Sequence, residues 1–294
     1  MPTRPSRDHI AAVVVLFEPS AEHIEHVLAY IDQVAKVIAV DNTPEPHALA
    51  VERLTELGVE VVSMGSNIGI AAALNAGCGV AMAYGFEWAL TLDQDSTPAP
   101  DMVHRLTQCL CEDDSDDVFL AVPVWQIEGG VKEQLSPRCI ELDVAMTSGN
   151  LVRLAAWKAL GGFREGFFID AVDTEYCLRG RQQGMRILQR RDAVLIHRPG
   201  SLERKRFPTE HFVSNYSPLR RYYMTRNTLE VLRAYGHQYP AWASRERHQL
   251  LIDTLKIALS ERNKVLKLHR MLQGARDYRR GRFGRYEDLH GGDC

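Results

Sequence analysis

Ile10-Ala-Ala-Val-Val-Val-Leu-Phe17 is an unbroken apolar run, rich in β-branched residues and closed by Glu18-Pro-Ser20. A strand with one wet face alternates apolar and polar side chains. An unbroken run instead fits a strand covered on both faces, the condition of a parallel sheet. The signature recurs at Val37-Ile-Ala-Val40, at Val59 to Ser63 and at Trp88-Ala-Leu-Thr-Leu92. Helical stretches lie between them, about Glu22 to Gln33, 47 to 57, and Ile70 to Tyr84. This βαβαβαβ order within the first hundred residues predicts an α/β fold with a doubly wound, mostly parallel sheet flanked by helices. Ligands meet such sheets at the carboxyl ends of the strands. Asp41-Asn-Thr-Pro44, after the second run, and Asp93-Gln-Asp95, after the fourth, are therefore the first places to look for chemistry.

Further along, a helix follows Pro100, and the acidic stretch Glu112 to Asp117 has the composition of a solvated turn. A strand is expected at Phe119 to Pro123, and Val144 to Ser148 leads into Gly149-Asn150. Helices are expected over Val152 to Leu160 and Thr174 to Gln183, the latter stopped by Gly184. Two short strands, Arg186 to Leu188 and Ala193 to Ile196, come last. From Tyr216 no strand pattern remains: Tyr222 to Ala234 and Arg245 to Leu272 carry apolar residues at helical spacing, interrupted near Gly236 and Pro240. The expected division is an α/β catalytic domain over 1-212 and a basic helical C-terminal extension over 213-294.

Of the 294 residues, 45% are hydrophobic and 25% charged, which excludes disordered, collagenous and small disulfide-stapled classes. Six cysteines show no paired CxxC spacing, and the start Met1-Pro-Thr-Arg4 has no apolar leader, so reduced thiols in a cytoplasm are expected. No apolar run approaches the roughly 18 residues of a membrane span, so any membrane contact is peripheral. The net charge of −3 is unevenly placed: residues 216 to 285 hold sixteen Lys/Arg against five Asp/Glu. A basic tail on an acidic body fits a solvated surface, or docking on anionic lipid head groups or a lipid-linked substrate. Its apolar stripes fit a homodimer through the C-terminal helices equally well.

Asp93 and Asp95 offer hard oxygen ligands to Mg²⁺ or Mn²⁺, which share their coordination shell between carboxylates and substrate phosphates. The plainer alternative is a turn in which Asp95 and Ser96 cap the next helix. Asp93-Gln-Asp-Ser-Thr97 also matches the DxDxT pattern of haloacid-dehalogenase-like phosphatases. In those enzymes, however, the motif ends the first strand and a later acidic loop is needed, neither of which fits here. Asp170, Asp173 and Glu175 open a helix, where its dipole favours negative charge, and one of them is a candidate general base. His197 ends a late strand and is a structural residue or a ligand. Asn67-Ile-Gly69 and Asn75 flank a helix start that admits phosphates or packs tightly on the sheet.

Taken in order, Val40-Asp-Asn-Thr43, Asn67-Ile-Gly-Ile-Ala-Ala-Ala-Leu-Asn75, Trp88 to Asp95, Thr147-Ser-Gly-Asn150 and Gly162-Phe163 through Arg179 resemble family-2 glycosyltransferases. Together with Arg220-Arg-Tyr-Tyr-Met-Thr-Arg-Asn227 they look most like the bacterial rhamnosyltransferases. The resemblance implies a GT-A fold and inverting transfer from a nucleotide sugar. It implies that Asp41, Asn67, Asp93 and Asp95 bind the donor and that Asp93, Asp95 and His197 hold the metal. It also implies that Asp173 is the catalytic base. Many relatives have Glu-Asp where this chain has Val172-Asp173, which leaves Asp170 and Glu175 as alternatives. Arg226 and Arg204 are candidates for diphosphate or acceptor binding, against the plainer expectation of solvated surface arginines. The expected activity is metal-dependent transfer of L-rhamnose from dTDP-L-rhamnose to a surface glycan or glycolipid, in polysaccharide biosynthesis, with no nucleic-acid partner. A UDP-sugar-dependent galactofuranosyl- or hexosyltransferase is the alternative.

Overall fold

A computed structural model describes residues 5–113, 115–127, 136–197, 203–205, 211–213 and 215–291, with 197, 203–205 and 211–213 described as backbone alone. The chain opens with β1 (Ile10–Leu16), α1 (Ala21–Val27), β2 (Lys36–Asp41), α2 (Ala48–Glu56), β3 (Glu60–Ser63), α3 (Ile70–Ala83) and β4 (Trp88–Asp93). Then come β5 (Ser96–Pro98), α4 (Met102–Asp113), β6 (Val118–Ile127), β7 (Cys139–Leu142), β8 (Asn150–Arg153), α5 (Leu154–Leu160), α6 (Val172–Gln182) and β9 (Arg186–His197). It closes with β10 (Glu203–Lys205), β11 (His211–Val213), α7 (Pro218–Tyr235), α8 (Pro240–Ser260), α9 (Lys264–Arg279) and α10 (Tyr286–His290). Two compact units result, one of residues 1–164 and 176–198, the other of 165–175 and 199–294.

In the first unit a nine-stranded mixed sheet runs in the order β3-β2-β1-β4-β8-β6-β9-β5, with β7 pairing β9. The four expected parallel strands lie side by side, and every residue of β1 is buried. Helices flank the sheet. Gly77 lets α3 close on it: a Cβ there would overlap Val13 Cγ1 and stand 3.0 Å from Val40 Cγ2. Register aligns the strand ends, pairing Leu16 with Asp41 on one side and Val15 with Asp93 on the other.

Several local expectations are revised. The first helix stops at Val27 and is followed by a separate 3-10 turn, Ile31–Gln33. The two late strands are one, β9, because Arg190 and Asp192 at its middle are buried as an ion pair (2.6 Å) instead of breaking it. Glu112, Asp116 and Asp117 are exposed as expected, but the stretch also carries ion pairs: Glu112, in the last turn of α4, pairs with Arg190, while Asp113 and Asp117 grip Arg186, which holds the Asp117 carboxyl down at about 2. Ser96, which the plainer alternative made a helix cap, instead opens a strand, Ser96-Thr-Pro98, at the sheet edge, where proline's missing N–H is tolerated. The expected set of reduced thiols is also revised, since Cys109 and Cys139 form a disulfide.

The second unit is built on helices α7 to α10. Tyr222, Tyr223 and Tyr286 form its aromatic core, against which Phe168, Ile169 and Leu219 pack. Not all of its positive charge is surface: Arg221, Arg226 and Lys267 are buried. Lys267 Nζ and Arg221 Nη2 both donate to Glu261, at 2.7 and 2.6 Å. Leu251, Leu255 and Leu259 on α8 and Val265 and Leu266 at the start of α9 are exposed, next to Arg262 and Lys264. No helix among the described residues is long and apolar enough to cross a membrane.

Candidate active site

The carboxyl ends of β2, β1 and β4 carry the candidate donor residues of the first unit. Asp41 is buried, with Oδ1 accepting from Thr43 N (3.0 Å), an Asx turn that halts the strand. Asn42 Nδ2 donates to Asn67 Oδ1 (3.1 Å), while Asn42 Oδ1 accepts from Ile68 N (2.9 Å). The two asparagines thus join the end of β2 to the start of α3, where Gly69 (φ 86°) makes the turn into the helix. The Asn67 side-chain carbonyl oxygen thus shapes the loop, also accepting from Gly69 N (3.0 Å), while Asn75 serves packing. The Asn75 side chain bonds Trp157 Nε1 and the backbone of Phe163.

Asp93 and Asp95 are half-buried at the end of β4. Three contacts set the backbone around them. Asp93 N donates to Ser148 Oγ (2.9 Å). Gln94 exchanges two hydrogen bonds with the Phe17 backbone (2.9 and 3.2 Å). His26 Nδ1 donates to Gln94 O (2.8 Å). The clamp between Gln94 and Phe17 ties the end of β4 to the end of β1. Sequence inspection passed over Gln94, His26 and Ser148 because their partners are 52 to 77 residues away.

Two carboxylates at a sheet edge are the donor set expected of a cation that completes its shell with phosphate oxygens. No group of three His, Cys, Asp or Glu side chains able to hold a metal occurs among the described residues. The side chain of the expected third ligand, His197, lies outside them, but β-register pairs its backbone with Ser96, one residue from Asp95. Arg204 likewise lies outside the described side chains.

In the second unit the three acidic candidates for the base have different partners. Asp170 is ion-paired with Arg220 (3.1 Å), whose guanidinium stacks on Tyr216. Glu175 is buried and accepts from Tyr235 Oη (2.8 Å). Asp173 Oδ1 accepts from Thr174 N (2.7 Å) within its own helical turn. Desolvation raises the Asp173 pKa above the usual carboxylate range, and the nearby negative charge of Asp170 adds to it. A base with that shift stands closer to the pKa of a hydroxyl acceptor than an ordinary aspartate does.

Arg226, expected at a solvated surface or on a diphosphate, is instead 0% exposed. Its guanidinium donates to Gly166 O, Phe167 O and Gly284 O and is faced by the rings of Tyr222, Tyr223 and Phe283.

A family model described as glycosyl transferase family 2 matches residues 20–173, a span that holds Asp41, Asn67, Asp93 and Asp95 and ends on Asp173. The chain is 26% identical over 292 residues to the dTDP-rhamnosyl transferase RfbF of Shigella flexneri, covering 93% of this chain and 96% of that relative. Among solved structures it is similar to GalNAc-T7 with UDP, GalNAc and Mn²⁺ (TM-score 0.60, 12% identity, 93% of this chain and 57% of that one). It is also similar to S. aureus TarS 1-349 (TM-score 0.59, 15% identity, 90% and 80%). At these identities the structural likeness shows the fold, a GT-A-type architecture.

The raised pKa of Asp173 has a consequence for stability. The native state holds that proton more tightly than the unfolded chain, so its stability is full below about pH 3.9, the unfolded value, and falls as pH rises through the Asp173 pKa. Asp173→Asn should therefore unfold at a higher temperature than wild type at pH 8, and the gain should vanish by about pH 4. Thermal unfolding at the two pH values checks this, and equal midpoints at pH 8 would contradict the raised pKa of Asp173.

Proposed function

The chain belongs to glycosyl transferase family 2, and from that premise we propose that this glycosyltransferase moves L-rhamnose from dTDP-L-rhamnose, with inversion, to a hydroxyl of a surface glycan or glycolipid. The observation that carries the reading is the alignment of carboxylates at the ends of β2 and β4, where α/β sheets meet nucleotides. The donor sugar is supported by the likeness to the Shigella flexneri enzyme over nearly its whole length.

In this reading Asp41 and Asn67 contact the nucleoside, and Asp93 contacts the ribose. Asp93 and Asp95, with His197, would hold Mg²⁺ or Mn²⁺, whose charge offsets that of the departing diphosphate. Asp173 takes the proton of the acceptor hydroxyl as that oxygen bonds to the anomeric carbon, from the face opposite the leaving group. The Arg220 pair of Asp170 and the Tyr235 bond of Glu175 support Asp173 over its two neighbours as base.

We place the enzyme in the cytoplasm, peripherally on the inner face of the membrane. Leu259, Val265 and Leu266, exposed beside Arg262 and Lys264, support docking on anionic lipid. A homodimer through the same helices is the competing use of that surface.

Two experiments test these statements. In a thermal-shift panel of dTDP, UDP, GDP and ADP, dTDP with Mn²⁺ should stabilise the wild type by about 2.7 kcal/mol at a hundredfold excess over its dissociation constant. The shift should be lost in Asp95→Ala. A UDP preference would transfer the donor assignment to UDP-sugars, and no shift with any nucleotide would remove the donor reading. In flotation, the protein should rise with phosphatidylglycerol vesicles and stay behind with phosphatidylcholine ones. Val265→Asp should abolish the rise, whereas a dimer by sedimentation that ignores both vesicles would assign the surface to a second copy.

A further inference from the structure

Phe168 (φ 66°), Asp170 (65°) and Ala171 (59°) all adopt left-handed backbone, and none is glycine. In that conformation Cβ crowds the following carbonyl oxygen, so three such residues within four positions persist only when their surroundings hold them. Ala171 leads directly into α6, whose second residue is Asp173. The strained segment is therefore the lead-in to the proposed base.

Arg220 pairs with the Asp170 side chain, but the main chain of the segment is held by one dipeptide of α7. Asn227 is completely buried, and its Nδ2 donates to Phe167 O, Ile169 O and Asp170 O at 2.9, 2.8 and 3.0 Å. Arg226 Nη2 donates to Gly166 O and Phe167 O, both at 3.0 Å, and Arg226 Nε donates to Asn227 Oδ1 at 2.9 Å. Gly284 N donates to Gly166 O (2.7 Å), and Arg226 Nη1 returns to Gly284 O (2.8 Å). Four consecutive-segment carbonyls thus converge on two side chains, and the ring of Phe168 stacks on Tyr223 of the same helix. A guanidinium buried in this way loses much of its hydration, a cost that a purely apolar packing residue would avoid.

We propose that Arg226 and Asn227 are positioning residues, which lock the 166–171 segment in its strained form and thereby fix where the head of α6 presents the Asp173 carboxylate. The proposal rests on the reading of Asp173 as base. A role in stability alone would leave the surroundings of Asp173 in the folded protein unchanged when the anchor is cut. A positioning role would not, because the segment would relax, Asp170 would move, and water would reach Asp173. The charged groups that bear on Asp173 are Asp170 beside it and Glu246 on α8, while Arg220 and Arg221 on α7 act on Asp170.

The test is an NMR titration of the full chain labelled with ¹³C at the aspartate carboxyls, the Asp173 resonance being assigned by its absence in Asp173→Asn. In folded Asn227→Ala the Asp173 midpoint should fall toward the ordinary value by about one unit. Ile257→Ala, which removes buried packing on α8 without touching the anchor, should lower the melting temperature and leave the midpoint in place. If Asn227→Ala alone does not fold, Asn227→Ala with Ala171→Gly removes part of the strain and should fold with the same lowered midpoint. A wild-type midpoint in whichever variant folds would overturn the proposal. So would failure of both to fold, since the anchor would then serve the whole unit. The titration needs neither donor nor acceptor, so it is separable from the base assignment. Glycosyl transfer surviving in Asp173→Asn would sink that assignment and leave the titration result standing.

Discussion

A strand covered on both faces can carry an unpaired charge only where it ends. An isolated carboxylate in the middle of β1, β2 or β4 would lose its hydration at a cost of several kcal/mol and gain nothing in return. Between their end residues the three strands are accordingly apolar, with the exception of Thr91, whose hydroxyl is satisfied by Thr147 O. The charged residues of the parallel core stand at strand ends: Lys36 and Glu60 pair at the amino ends of β2 and β3, and Asp41 and Asp93 lie across β1 from one another at the carboxyl edge. Two interstrand spacings put their backbones roughly 10 Å apart. The lateral positions of the candidate donor-binding residues Asp41 and Asp93 follow from sheet register, and the register follows from burying the apolar runs. The close approach of α3 at Gly77 is part of the same packing.

The second unit meets a different constraint, that of burying cations. Lys267 and Arg221 share Glu261, while Arg226 is satisfied chiefly by main-chain carbonyls. A charge neutralised by a carboxylate secures two side chains. A charge spent on carbonyls secures a path of backbone, and here that path is a segment that would not keep its conformation unaided. In this unit the use of buried charge is conformational.

The parallel strands were legible because they declare themselves locally, by runs of β-branched residues closed by turn formers. The pieces that escaped were set by distant partners. The strand character of Ser96-Thr-Pro98 depends on β9, a hundred residues later, and β9 looks interrupted until Arg190 and Asp192 are seen to neutralise each other. Arg226 resembled a surface arginine because its acceptors are backbone atoms some sixty residues earlier. Among Asp170, Asp173 and Glu175 only the family resemblance favoured Asp173; the contacts in which they differ, Arg220 for the first and Tyr235 for the last, lie 50 and 60 residues away. The disulfide joins cysteines 30 residues apart whose spacing matches no motif. Residue types at strand ends could be anticipated, whereas the clamps that orient them could not.

The most direct measurement of the central claim is amide hydrogen exchange by mass spectrometry with and without dTDP and Mn²⁺, because it locates the ligand on the chain. The account predicts slower exchange in peptides covering the ends of β1, β2 and β4 and the start of α3, residues 16–18, 41–43, 67–70 and 93–96, with the interiors of α8 and α9 unchanged. Protection that falls elsewhere, or that leaves the ends of β2 and β4 untouched while the nucleotide is bound, would contradict it.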